Sequence, residues 1–466
     1  MDMLTYVLNP ENKLPLYLQL YNFIREDIRS GKLPFDTKLP SKRKLSSYLK
    51  VSQNTIQAAY TQLIEEGYIV AKERRGFFVS RIDYLQNIRI TPNIQSNIPD
   101  SRHCAAYDFS YHGVDIPSFP YSIWRKLMKE VISEYDPELL LQSDSLGNYN
   151  LRSSIADYLH HSRGVNCCSS QVIISSGTEI LFQSLIQLFD HESIYGIENP
   201  GYEKLNQLFT ASRANFRAIN IDRKGMLPEE VKKSGANILC ITPAHQFPSG
   251  EIMPISRRMQ LLNWANEASD RYLVEDDYDS EFKYSGRPIP ALQGLDTGGK
   301  VIYMGSLSKS LSPAIRVSYM VLPLCLMKQY KERLSFVLCP VPIMEQKVLS
   351  RFIKEGYFER HLNKMRNIYK KKRELLVKSI QAFDKPVEIL GADAGLHLLL
   401  KINNGMTEKQ LVSAAASNSV RVYGMSKYFI DKDASIPEAT VLIGYAAMRE
   451  DELGKAVQLL FGAWFK

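Results

Sequence analysis

Residues 301–316, Val-Ile-Tyr-Met-Gly-Ser-Leu-Ser-Lys-Ser-Leu-Ser-Pro-Ala-Ile-Arg, hold the side chains with the most suggestive chemistry. Val301 to Met304 reads as a buried strand that ends at Gly305. Small hydroxyl residues follow, then Lys309, and then Arg316. A lone buried ammonium is costly, so a lysine seldom sits where a core strand meets its loop. Desolvation lowers its pKa, and the free amine can then attack an aldehyde to form a Schiff base. Ser306, Ser308 and Arg316 supply hydroxyl donors and a guanidinium fork, which a phosphate needs. Aldehyde plus phosphate describes pyridoxal 5′-phosphate (PLP). Taken alone, the stretch also fits a surface lysine in a serine-rich loop.

Other apolar runs end in residues of complementary chemistry. Val172 to Ile174 leads into Ser175-Ser176-Gly177-Thr178, which opens a helix around Ile180 to Leu188. Backbone N–H groups and hydroxyls at such a helix start suit an anion and offer a second half for a phosphate cup. Ile194 to Ile197 leads into Glu-Asn-Pro-Gly-Tyr, a turn that aims Tyr202 back over the strand ends, where an aromatic ring can stack on a pyridine. Ile238 to Ile241 leads into Thr-Pro-Ala-His245-Gln246-Phe247-Pro-Ser-Gly. Tyr272 to Val274 leads into Glu275, Asp276, Asp277, Tyr278 and Asp279. Four neighbouring carboxylates suit a surface loop, but at a strand end one of them can pair with a cation in a pocket.

The elements that position these residues alternate strand-like and helical patterns through residues 107–466, the rhythm of a mainly parallel α/β sheet. A long helical stretch is expected over 341–383, its Lys-Lys-Lys-Arg run at 370–373 a solvated face. A small α+β subdomain is expected over roughly 386–466. The 466-residue chain is long enough for two or three domains. No apolar run reaches membrane-spanning length and no secretory leader pattern opens the chain, so the cytoplasm is expected. The six cysteines show no metal-binding spacing and read as reduced thiols.

The net charge of +8 is concentrated at the start: residues 1–80 hold 12 Lys and Arg against 8 Asp and Glu. Leu16, Leu20, Phe23, Ile24 and Ile28 form one helical face after Pro15. Ser41 caps a second helix, with Leu45, Tyr48 and Leu49 inward, and Ser52 caps a third, with Ile56, Ala59, Tyr60 and Leu63 inward. Tyr68 to Val70 and Phe77 to Val79 read as a hairpin whose tip carries Arg74, Arg75 and Gly76, the glycine free to take a positive φ. Three helices and a basic wing make a DNA-reading unit in which Lys42, Arg43, Arg74 and Arg75 neutralise phosphates. Between 81 and 106 periodicity is lost, as in a linker; its 25 or so residues could span roughly 80 Å when extended.

Two resemblances follow from these motifs. Lys-Leu-Pro-Ser-Lys-Arg-Lys-Leu-Ser, Val-Ser-Gln-Asn-Thr-Ile and Arg-Arg-Gly-Phe-Phe-Val resemble the GntR-type winged-helix signature over residues 14–80. The expected DNA-facing set is Ser41, Lys42, Arg43, Gln53, Thr55, Arg74, Arg75 and Gly76, with Gln53 and Thr55 facing bases. Such domains often carry arginine where Gln53 stands, which alters the expected sequence preference more than the ability to bind.

The five strand-end clusters, in their chain order, resemble the fold-type I aminotransferase body over 107–466. That resemblance implies a Schiff base on Lys309 and a pyridinium contact from Asp276. It also implies a ring-hydroxyl contact from Tyr278, with His245 or Gln246 replacing the usual asparagine, because Phe247 occupies that place. A substrate-carboxylate arginine is usual where Leu442 stands. Lys204 and Arg421 are the alternative anion clamps, although Arg421 equally suits a surface strand.

Together the halves resemble the MocR/GabR family of transcription regulators. The resemblance implies a PLP-dependent regulator that binds operator double-stranded DNA and forms a domain-swapped, head-to-tail homodimer. Its effector would be an amine such as γ-aminobutyrate, or PLP itself. A working aminotransferase that also binds DNA, and a scaffold without PLP, are the competing readings.

Overall fold

The computed structural model describes residues 5–12, 14–81, 105–284, 289–431 and 436–465. The chain divides into two compact units, Met1–Ser101 and Arg102–Lys466. Most of the expected linker, 82–104, lies outside the described residues.

In the first unit the helices run Leu16–Arg29, Lys42–Leu49 and Gln53–Glu65, followed by strands Ile69–Lys72 and Gly76–Val79. The Ser41 and Ser52 hydroxyls accept from the backbone N–H groups of Lys44 and Thr55, each satisfying a donor that the helix start leaves open. Leu20, Ile24, Leu45, Ile56, Ala59, Tyr60 and Leu63 are buried in one core with Ile69 and Val79. Burial of each large side chain contributes about 1.5–3 kcal/mol. Two inward expectations fail. Phe23 is 41% exposed and stacks on Tyr6, 5.2 Å between ring centroids, and Tyr48 is 45% exposed. Helical spacing places both near the edge of the apolar face, where local neighbours decide the outcome. The wing also gains an edge that the hydrophobic pattern does not announce, through backbone bonds from Leu39 to Phe77 and from Val79 to Thr37.

The second unit is built on an eight-stranded sheet. Across it run Val172–Ser175, Ser318–Val321, Val301–Ser306, Tyr272–Asp277, Ile238–Ile241, Ile194–Asn199, Asn215–Asp222 and Gly225–Met226. The strands from Val301–Ser306 to Asn215–Asp222 pair in parallel, and Ser318–Val321 is antiparallel to both neighbours. Parallel strands end on the same edge, so the loops that follow Ser175, Asn199, Ile241, Asp277 and Ser306 converge there. Register aligns Ser175, Ser318 and Ser306 in one row across three strands.

A four-stranded antiparallel sheet, Val387–Leu390, His397–Ile402, Thr440–Gly444 and Tyr423–Gly424, forms the C-terminal part. Helices Glu408–Ser417 and Glu450–Trp464 follow its strands, and Leu411, Ala415, Leu453 and Val457 share its buried core. The expected single helix over 341–383 is two, Ile343–Lys354 and Tyr357–Gln381, broken where Gly356 takes φ 72°. Within the basic run, Lys370 and Lys371 are exposed but Lys372 is buried. Its ammonium donates to Asp115 Oδ1 at 2.7 Å and to the Ala446 carbonyl at 2.8 Å, which offsets its desolvation. That pair ties the segment after Tyr111 to the long helix.

Candidate functional site

Lys309 sits in the short helix Leu307–Ser310 immediately after its strand. Its Nζ donates to the Tyr111 carbonyl and lies 5.5 Å from the centre of the Tyr111 ring. Desolvation, reinforced by the Lys204 cation and opposed by Asp279, lowers the Lys309 pKa to about 8. The amine therefore opens onto its cavity with a substantial neutral fraction near physiological pH.

That cavity has a volume of about 330 Å³. Its lining brings together Gly177, Thr178, Tyr202, Lys204, Asp276, Tyr278, Ser306, Ser308, Lys309 and Arg316 of the expected set. Residues from five strand ends, more than a hundred positions apart, share one wall because the sheet is parallel. Gly177 is needed for closeness: at φ 138° it has no Cβ, and one would meet Arg316 Nη2 at 2.3 Å. Thus the helix start at Thr178 and the guanidinium of Arg316 face each other across a gap only a backbone can line.

The four carboxylates after Tyr272–Val274 have four different fates. Glu275 accepts from the backbone N–H groups of Leu292 and Gln293 at 2.8 and 2.9 Å. Asp277 pairs with Arg163 at 2.8 Å and accepts from the Tyr303 hydroxyl at 2.6 Å. Asp279 contacts His245 Nδ1 at 3.0 Å. Asp276 alone of the four lines the cavity, and its buried Oδ1 has no hydrogen-bond partner among the described residues. Burial, then the neighbouring carboxylates Asp277, Glu198, Asp279 and Glu179, push its pKa up to about 7. Such an atom is completed by a cationic N–H donor. Ser318 and Tyr111 also line the cavity, and their hydroxyl oxygens are likewise buried without partners among the described residues. A protonated pyridine, a phosphate and an aldehyde carbon would meet Asp276, the Gly177–Arg316 cup and Lys309 respectively, so the residues present fit PLP.

Several expected residues fall elsewhere. Ser176 precedes Gly177 but is not in the lining. His245 is buried behind the wall, sharing a 3.0 Å hydrogen bond with Tyr278, so only Tyr278 meets the cavity. Gln246 also points away, its Nε2 donating to the Pro200 carbonyl at 3.0 Å. Arg421 is not in the lining: its side chain is 59% exposed and faces Asp108 at 4.0 Å. The strand Val420–Arg421 alternates faces, and this position looks outward.

Phe247 and Leu442, the two departures from the aminotransferase pattern, belong to one apolar cluster with Tyr111, Leu399, Met425 and Tyr428. They are 4% and 0% exposed, so both apolar replacements are absorbed into one buried cluster. Tyr111, His112, Glu179 and Ser318 line the cavity without having been singled out from sequence. Tyr111 and His112 follow a two-residue strand with no motif, whereas Ser318, two residues past Arg316, was open to inspection. Burial and the cations Lys309, Lys204 and Lys427 lower the His112 pKa to about 4, leaving it neutral.

In the first unit Gln53, Arg43, Arg74, Arg75 and the Ser41 cap are exposed, and Gly76 takes φ 105° in the wing turn. Lys42 Nζ donates to Gln57 Oε1 and lies 5.9 Å from the Phe77 ring centre. Thr55 is only partly available, because its hydroxyl shares the cap with Ser52 at 2.8 Å.

The chain matches the model of aminotransferase class I and II over residues 119–460 and that of the bacterial regulatory proteins of the gntR family over residues 16–79. It is 40% identical to an uncharacterized HTH-type transcriptional regulator, YdeL of Bacillus subtilis, covering 99% of both chains. It is 30% identical to the probable rhizopine catabolism regulatory protein MocR of Rhizobium meliloti, over 98% of this chain and 95% of that one. A crystal structure of Pyrococcus horikoshii kynurenine aminotransferase in complex with PMP superimposes with a TM-score of 0.68 at 24% identity, covering 76% of this chain and 90% of that one. The chain belongs to the MocR-type transcriptional regulators, in which a GntR helix-turn-helix domain is fused to an aminotransferase class I/II domain. Among the described residues no helix is long and apolar enough to cross a membrane.

Proposed function

We propose that this regulator holds PLP in the Lys309 cavity and that a small molecule acting there changes the affinity of the winged helix for operator DNA. The observation that carries the reading is one pairing. Asp276, Lys309 and the Gly177–Arg316 cup fit the cofactor, while Phe247 and Leu442 belong to one buried apolar cluster where an aminotransferase would hold ring and substrate with polar groups. When bound, PLP supplies an aldehyde that an amine can attack and a ring that withdraws electrons. Lys309 would hold it covalently, Asp276 its ring nitrogen, Tyr278 the ring hydroxyl, Tyr202 the ring face, and Ser306, Ser308, Thr178 and Arg316 its phosphate. Of the two residues considered for the effector, Lys204 is supported by its place in the lining.

Sensing needs only different affinities for two protein states, whereas turnover needs interactions that strengthen in the transition state. A homodimer, domain-swapped and head-to-tail, and a cytoplasmic location belong to the same proposal. The test combines operator binding with product analysis on the full chain. An amine effector, or PLP added to the cofactor-free protein, is expected to shift operator affinity with negligible keto product. Multiple-turnover transamination at rates on the order of 1 s⁻¹ would instead make the protein an enzyme that also binds DNA. No lysine-bound absorbance band at any PLP concentration would make it a cofactor-free scaffold.

A further inference from the structure

Arg316 does not face an open cup. Its Nη2 donates to Glu179 Oε2 at 3.3 Å. Glu179 stands in the first turn of the helix Thr178–Leu188, where a carboxylate is favoured by the helix dipole and the open N–H groups. A Cβ placed on Gly177 would meet Arg316 Nη2 at 2.3 Å and Glu179 Oε2 at 2.7 Å. The carboxylate therefore lies against the same backbone glycine as the guanidinium, on the cavity side, and both residues line the cavity. It engages the guanidinium nitrogen that a bound phosphate would need.

We infer that Glu179 is a built-in competitor for the phosphate cup, setting the affinity for phosphorylated ligands by occupying Arg316 until one arrives. A phosphate dianion and a carboxylate within hydrogen-bond distance of the same guanidinium nitrogen repel each other, so the incoming anion must displace the resident one. No bond to carbon or phosphorus changes; one ion pair is exchanged for another. Displacement is feasible because neither partner is locked in place: the side chains of Arg316 and Glu179 are 51% and 34% exposed. A protein tuned this way releases a phosphorylated ligand readily and responds to its concentration. This rests on the reading that the cavity takes PLP.

The alternative geometry is that Arg316 holds both anions at once, Glu179 then orienting the fork for phosphate. The two make opposite predictions for full-length Glu179→Gln. Titrated with PLP and followed by the visible absorbance of the lysine-bound cofactor, this variant is expected to bind roughly two- to fivefold more tightly than the unaltered protein. With pyridoxal, which lacks the phosphate, the two proteins should bind equally. Glu179→Ala serves as a second variant and should tighten PLP binding likewise. Unchanged or weaker PLP binding in both variants, or an equal gain for pyridoxal, overturns the inference. If neither aldehyde produces a lysine-bound band in any of these proteins, the PLP reading itself falls. Calorimetric titration with inorganic phosphate then still decides the role of Glu179, tighter binding by the variants upholding it and equal or weaker binding refuting it.

Discussion

The depressed pKa of Lys309 can be measured without any cofactor. Its folded value is about 8 against the ordinary 10.5. At pH 7 about one Lys309 side chain in eleven is then a free amine, against about one in three thousand for an exposed lysine, a ratio of about 300. Trace labelling with acetic anhydride across pH 6–11, quantified by mass spectrometry of the peptide carrying Lys309, reads this fraction directly. The Lys309 midpoint should fall near 8, well below the range of an ordinary exposed lysine. Asp279 attracts the ammonium and Lys204 repels it, so Asp279→Asn should lower the midpoint and Lys204→Met should raise it.

The same shift has a stability consequence of fixed sign. Because the unfolded lysine binds a proton more tightly than the folded one, the folded state carries a penalty of about 3 kcal/mol below pH 8. That penalty fades as pH rises from 8 to 10.5. Lys309→Met should therefore raise the urea midpoint of the C-terminal unit at pH 7 and change it little at pH 10.5. A labelling midpoint near 10.5 would refute the desolvated-amine reasoning, and a stability gain independent of pH would show that packing, not charge, produced it.

Two further outcomes are expected. Asp276→Asn removes the negative charge of the carboxylate whose Oδ1 is unpartnered, and losing one side of a buried charge pair costs about 3–5 kcal/mol, so PLP affinity measured by absorbance should fall at least a hundredfold. Unchanged affinity would detach Asp276 from the ring nitrogen. Arg74→Ala or Arg75→Ala should weaken binding to all DNA sequences and reduce the salt slope by about one, whereas Gln53→Ala should alter which operator is preferred; fluorescence anisotropy across a salt series checks all three.

Much of this protein is legible from local chemistry. Ser41 and Ser52 announce their helices because a cap is a contact between residues three apart, and both make it as expected. The strand ends that build the cavity are legible for a similar reason: each pairs an apolar run with a turn of small or polar residues. Their convergence follows from the parallel rhythm alone, since parallel strands present their ends on one edge. Neither kind of inference needs to know what lies across the fold.

What the tertiary structure decided are choices between residues of equal local standing. Glu275, Asp276, Asp277 and Asp279 look alike in sequence; Arg163 and His245 and the amides of Leu292 and Gln293 engage three of them, and only Asp276 is left to line the cavity, with its buried Oδ1 unpartnered among the described residues. Lys372 is buried while Lys370 and Lys371 are not, because Asp115 and the Ala446 carbonyl come from remote segments to receive it. Phe247 and Leu442 are separate anomalies along the chain and join one apolar cluster only in three dimensions. Glu179 reads as an ordinary first-turn acid until Gly177 brings Arg316 against it. Sequence alone determines which turns and helices can form, because those depend on neighbours along the chain. The partner of each charge depends on groups tens to hundreds of residues away, and only the packed fold supplies it.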